Sequence, residues 1–175
     1  MKEIKILEVI APEGFRDEEY LEPKEIFEEN GFVVVTCSKG TEVATGKNGT
    51  EVDIDIDVTD VQLADYGAIV FVGGPGAQDL MHDSDVIDMV VQADKKKMII
   101  GAICIAPMIL HEAGILEGRH VTVWNGDNKQ SEILEEDGVI YTGEKVTEDE
   151  NLITADGPKS AKEFAEAIVN KLEGL

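Results

Sequence analysis

The stretch Met98-Ile99-Ile100-Gly101-Ala102-Ile103-Cys104-Ile105-Ala106-Pro107 decides how this chain is read. Met98–Ile103 is a short continuous apolar run, which suits a buried strand. Ile105–Ala113 suits a helix, stopped by Gly114. A cysteine therefore stands at a strand-to-helix junction, with Ala102 and Ala106 two positions to either side. This is the spatial logic of a nucleophile elbow: the nucleophile occupies a strained turn, and small neighbours let strand and helix approach. The N–H groups opening the next helix turn toward the sulfur and favour thiolate, the reactive form. A buried structural cysteine fits the same letters.

Working outward, Ile4–Ile10 is another apolar run, followed by a loop over Ala11–Asp17. A helix is predicted from about Glu18 to Asn30, closed by Asn30-Gly31, with Pro23 expected to kink or restart it. Phe32–Cys37 reads as strand two, and Ala68–Val72 as a buried strand ending at Gly73-Gly74-Pro75-Gly76. Between them Val43–Asp57 resembles a hairpin or exposed arm. Asp85–Asp94 is an amphipathic helix with Lys95-Lys96-Lys97 at its C-terminal end. Farther on, His120–Trp124 reads as a strand and Asn125–Thr154 as short strands and turns. Pro158–Leu172 closes as an amphipathic helix.

Strands alternating with helices predict an α/β domain with a mainly parallel sheet. Such sheets bind ligands outside the carboxyl ends of their strands. Three loops should meet there: Ala11–Glu19, Gly73–Gly76 and Cys104-Ile105.

The 175 residues fit one domain spanning 1–175, long enough to need no disulfide or metal staple. With 15 Lys+Arg against 37 Asp+Glu, a formal charge of −22 argues against nucleic acid and anionic membrane surfaces as partners. Glu3 and Glu8 interrupt any secretory apolar segment, and Gly101 and Pro107 interrupt the longest apolar run. Cys37 and Cys104 form no metal-binding or disulfide pattern, so a reducing cytoplasm is expected. Cys37, ending strand two, reads as a small core residue.

Taken together, the elbow Ala102–Pro107, the turn Gly73-Gly74 and the segment Phe15-Arg16-Asp17-Glu18-Glu19 with Pro23 resemble the ThiJ/PfpI superfamily of DJ-one-like cysteine proteins. Ala113-Gly114-Ile115-Leu116-x-Gly118 and Gly157-Pro158 extend the likeness over essentially the whole chain. The resemblance implies a flavodoxin-like three-layer sandwich and a homodimer or larger homo-oligomer. It also implies Cys104 as nucleophile, Glu19 as the carboxyl meeting its sulfur, and the Gly74 and Ile105 N–H groups as an oxyanion site. On pattern alone Glu18 is an equal candidate. Trp124 either walls the pocket or is a buried aromatic at a strand end.

Many members of that superfamily add a histidine. Directly after the cysteine this chain has Ile105, and at the end of the next strand the best match is Trp124. His111 lies seven residues along the elbow helix, and His120 four before Trp124. His82 is expected on the surface at a helix start. An amidotransferase is disfavoured because Gly157–Glu166 offers no His-x-Glu. The expectation is cofactor-free, metal-free thiol chemistry on a small carbonyl substrate, glyoxalase-like or deglycase-like. The alternative is a redox sensor or holding chaperone acting through Cys104 oxidation. A peptidase is the weaker reading, because no base is visible.

Overall fold

The computed structural model describes residues 3–174. Five short strands become parallel neighbours in one sheet: β1 (Lys5–Val9), β3 (Val33–Ser38), β7 (Tyr66–Phe71), β8 (Ile99–Ile103) and β12 (Leu152–Ala155). Edge strands β6 (Ile56–Asp57, parallel to β3) and β11 (Val146–Asp149, antiparallel to β12) complete the order β11-β12-β8-β7-β1-β3-β6. Among the five central strands, the second in sequence flanks the first and the later ones run away on the other side. That is the flavodoxin-like order, in which the crevice opens where the direction of winding reverses, between β1 and β7.

Helices cover both faces. α1 (Asp17–Glu29) and α6 (Ala161–Glu173) cover one, over a core including Ile6, Phe27, Val70 and Phe164. On the other lie α3 (Ser84–Lys95) and α4 (Pro107–Glu112), over Leu7, Ile69, Val90 and Ile109. Residues of β1 divide between the faces alternately, as the two-residue period of a strand requires. Phe164 and Ile168 of α6 are fully buried, each contributing roughly 1.5–3 kcal/mol. No helix among the described residues is long and apolar enough to cross a membrane.

Several local expectations are corrected. The supposed loop Ala11–Asp17 contains β2 (Glu13–Phe15), which pairs with β4 (Val43–Gly46); β5 (Glu51–Asp53) joins β4 antiparallel, so the expected hairpin exists within a three-stranded side sheet. The end of the supposed arm, β6, belongs to the main sheet instead. Helix α1 runs through Pro23 without a break. The missing N–H costs one bond to the Glu19 carbonyl. Tyr20, Pro23 and Phe27 form one buried stripe that holds the turns together.

His120–Trp124 is strand only over β9 (His120–Val121), paired with β10 (Ile140–Tyr141) outside the main sheet. The region beyond it includes a helix, α5 (Lys129–Glu136), where only strands and turns were expected. His82 ends the short helix α2 (Ala77–Met81) rather than starting one.

Candidate functional site

The three loops converge as expected. β8 ends at Ile103, and Cys104 turns the chain with φ +64° before α4 begins. A left-handed conformation costs a non-glycine residue about 1–3 kcal/mol. Two main-chain bonds hold it: the Cys104 N–H donates to the Ala155 carbonyl, and its carbonyl accepts the Trp124 N–H, each at 2.8 Å. The side chain is half-buried.

Glu19 comes from the first turn of α1 and is fully buried. Its Oε1 accepts the Gly73 N–H at 3.1 Å. Oε2 has no bond of good geometry within the described residues, yet the carboxyl lies within hydrogen-bonding reach of the Cys104 thiol. Glu18 points elsewhere, accepting from Arg16 Nε at 3.2 Å and Asn48 Nδ2 at 3.4 Å. Successive helical residues diverge by about 100°, so only one of this acidic pair can face the elbow.

Glycines make the close approach possible. A Cβ on Gly73 would lie 2.7 Å from both Cys104 Cβ and Glu19 Oε1. Gly74 has φ +105°, and a Cβ there would meet the Arg16 nitrogen at 2.5 Å. Its N–H and that of Ile105 both reach the sulfur.

Burial pushes the Glu19 carboxyl up to about 7, while the thiol contact, the Gly73 N–H and Arg16 restrain the rise. Burial also pushes the Cys104 thiol up to about 12; an ionised Glu19 adds to this, and the Ile105 and Gly74 N–H groups oppose it. The two groups act as one pair. Below about 7 the pair holds two protons, and above it one. Cys37, by contrast, is a fully buried core residue, raised to about 12 by burial and by Asp57.

A cavity of about 350 Å³ opens beside the sulfur. Cys104, Gly74, Ile105 and Trp124 line it, and Trp124 is 40% exposed there rather than buried. Sequence reasoning did not single out the other lining side chains, which include Arg16, Lys47, Gln78 and Asp127. Arg16 lay within the quoted first-loop segment; nothing in the letters around Lys47 linked it to a cysteine 57 positions later. Among the described residues no histidine lines the cavity. His111 pairs with Asp137 at 2.5 Å, and His120 with Asp149 at 3.4 Å. The described residues contain no cluster of metal-binding side chains.

The arrangement brings together a thiol on a strained turn, a fully buried carboxyl within its reach, and two N–H groups beside the sulfur. Comparison with known proteins finds relatives over nearly the whole chain. A sequence model of the DJ-1/PfpI family matches residues 4–171. An uncharacterised Methanocaldococcus jannaschii protein is 37% identical over 174 residues, covering 99% of this chain and 84% of that protein. The glutathione-independent glyoxalase DJR-1.2 of Caenorhabditis elegans is 29% identical, covering 95% of this chain and 87% of its own length. The crystal structure of a ThiJ/PfpI domain protein from Brachyspira murdochii superposes with a TM-score of 0.92 at 32% identity, covering 100% of this chain and 99% of that one.

Proposed function

This chain belongs to the DJ-1/PfpI family, and from that premise we propose that it performs cofactor-free thiol chemistry on small reactive carbonyls, in a glyoxalase-like or deglycase-like reaction. The observation that carries this reading is the contact of a strained Cys104 with the buried Glu19 carboxyl at the edge of a cavity.

With an oxo-aldehyde, the sulfur attacks the aldehyde carbon as Glu19 takes the thiol proton. The Gly74 and Ile105 N–H groups stabilise the developing oxyanion, which is protonated to a hemithioacetal. Glu19 then moves the proton from the former aldehyde carbon to its neighbour, while the hydroxyl proton leaves and the old ketone oxygen gains one. The product is a 2-hydroxyacyl thioester. Water hydrolyses it to a 2-hydroxy acid and returns the thiol. No oxidant or reductant is consumed. The glyoxalase name of the Caenorhabditis elegans relative supports this reaction class. The same reading has the 1–175 chain working as one unit in the cytoplasm, as a homodimer or larger homo-oligomer.

Loss of methylglyoxal tests it. Turnover should vanish in Cys104→Ala and fall steeply in Glu19→Gln; turnover that survives Cys104→Ala overturns the assignment. A second reading draws on the same contact: a protonated Glu19 would donate to a sulfinate formed on Cys104 by peroxide. Stoichiometric sulfinate formation with no turnover of any dicarbonyl would favour that sensor.

A further inference from the structure

Charge is unevenly placed on this molecule. Acidic residues outnumber basic ones 37 to 15, so the overall field repels anions. Among the charged side chains that line the cavity beside Cys104 the ratio reverses, with Arg16 and Lys47 against Asp127, while the Glu19 carboxyl, fully buried, lies within reach of the sulfur.

Both cations are held by backbone. Arg16 is the residue that caps the start of α1, and its N–H donates to the Gly73 carbonyl at 2.9 Å. Lys47 sits in the turn between β4 and β5, where its N–H donates to the Phe15 carbonyl at 2.8 Å. Asp17 ties that turn to α1: its carboxylate accepts the Asn48 N–H at 2.9 Å and the Thr50 N–H at 3.0 Å. Burial alone would raise Asp17, but bonds from Thr50 and Asn48 outweigh it and hold the carboxyl below its ordinary range. The side sheet thus delivers Lys47 to the mouth of the cavity.

Their charges are unequally engaged. Arg16 is partly occupied by Glu18, at 3.2 Å. The Lys47 ammonium forms no salt bridge among the described residues. Asp127 has one oxygen accepting the Lys129 N–H at 3.1 Å. A volume of about 350 Å³ lies at the small end of ligand pockets, which suits a small metabolite.

Resting on the reaction proposed above, we propose that this cavity selects small oxo-aldehydes bearing a carboxylate or phosphate, with Lys47 and Arg16 receiving the anionic end while Cys104 engages the carbonyl. Lys47 is the specificity-determining residue. Arg16 contributes less, because Glu18 shares its charge.

Two measurements separate this proposal from the reaction itself. The first compares kcat/KM for 4,5-dioxopentanoate, an oxo-aldehyde with a carboxylate arm, against methylglyoxal, which has none. The ratio should favour the anion, fall about tenfold in Lys47→Gln, and recover in Lys47→Arg. It should also shrink as salt is raised. Lys96→Gln, on an exposed helix end, should leave the ratio where it was.

The second needs no turnover: the rates at which iodoacetate and iodoacetamide alkylate Cys104. The reagents share a leaving group and differ in charge. The iodoacetate-to-iodoacetamide ratio should drop severalfold in Lys47→Gln and hold in Lys96→Gln. A ratio unmoved by Lys47→Gln overturns the anion site, whatever the catalytic result. If the ratio moves but neither dicarbonyl is consumed, the anion site stands and the proposed reaction falls. A Cys104 that neither reagent labels overturns both.

Discussion

Glu8 lies in β1, one residue from its end, with its side chain fully buried and neither carboxyl oxygen hydrogen-bonded within the described residues. It stands in register with Thr36 of β3 and Val70 of β7. Lys24, Glu28 and Tyr20, all on α1, are the titratable groups that feel it. Burial pushes it well above its ordinary 4.5, with Lys24 pulling down and Glu28 pushing up. The folded protein therefore holds a proton that the unfolded chain releases. With a raised folded value, stability is fully present below about 4.5 and declines as pH rises, by about 1.4 kcal/mol per unit until the folded group itself ionises.

Glu8→Met keeps the length of the side chain and removes both orphaned oxygens. Burying an unsatisfied polar group costs roughly 1–3 kcal/mol, which the variant should recover at pH 5. As pH rises from 5 toward 7 the linkage enlarges the Met variant's advantage, because the parent's buried carboxyl holds a proton that the unfolded chain has released. Glu19, raised to about 7, also gives a falling slope, but in both proteins, so it cancels in the difference. Urea unfolding at pH 5, 6 and 7 measures this directly. A Met variant less stable than the parent at pH 7, or a stability difference that does not change with pH, would show the reasoning to be wrong.

Iodoacetamide labelling with peptide mapping should modify Cys104 far faster than the fully buried Cys37; preferential Cys37 labelling would sink the nucleophile assignment. The rate at Cys104 should climb about tenfold from pH 6 to pH 8 as the pair loses its first proton near 7. Glu19→Gln should abolish that profile and Glu18→Gln should not; the reverse outcome refutes the pairing. Peptide cleavage should be negligible, because amide breakdown lacks a positioned imidazole worth about 10²–10⁴-fold. Ile105→His, which keeps the backbone N–H, should raise it; strong Cys104-dependent cleavage by the parent would mean that another residue supplies the base.

The central strands were legible because burial on both faces makes each a nearly unbroken apolar run, as in Ala68–Val72 and Met98–Ile103. The small sheets were legible only in part, through the hairpin of β4 and β5 and the start of the strand expected at His120. β2, β9 and β10 are two or three residues long, and their pairing depends on partners far away in sequence. α5 buries only Leu134, so it carries no apolar stripe to read. At the site, small-x-Cys-x-small announced the elbow by local sterics. Choosing Glu19 over Glu18 needed the family resemblance, since both letters suit a helix start. Lys47 was invisible, because its place at the cavity depends on a buried Asp17 that reads in sequence as one more surface acid.

Gly73 works as a ruler. The space its missing side chain would fill is bounded on one side by the cysteine's first carbon and on the other by the glutamate's oxygen. Sulfur and carboxyl are therefore spaced by main chain, which moves little, and not by the rotamers of neighbours, which hop. One methyl group at this position would push the cysteine and the glutamate apart. The tolerance of the site is thus set by an atom that is not there, and any side chain at Gly73 would press on the cysteine, the glutamate and the Ile103 carbonyl together.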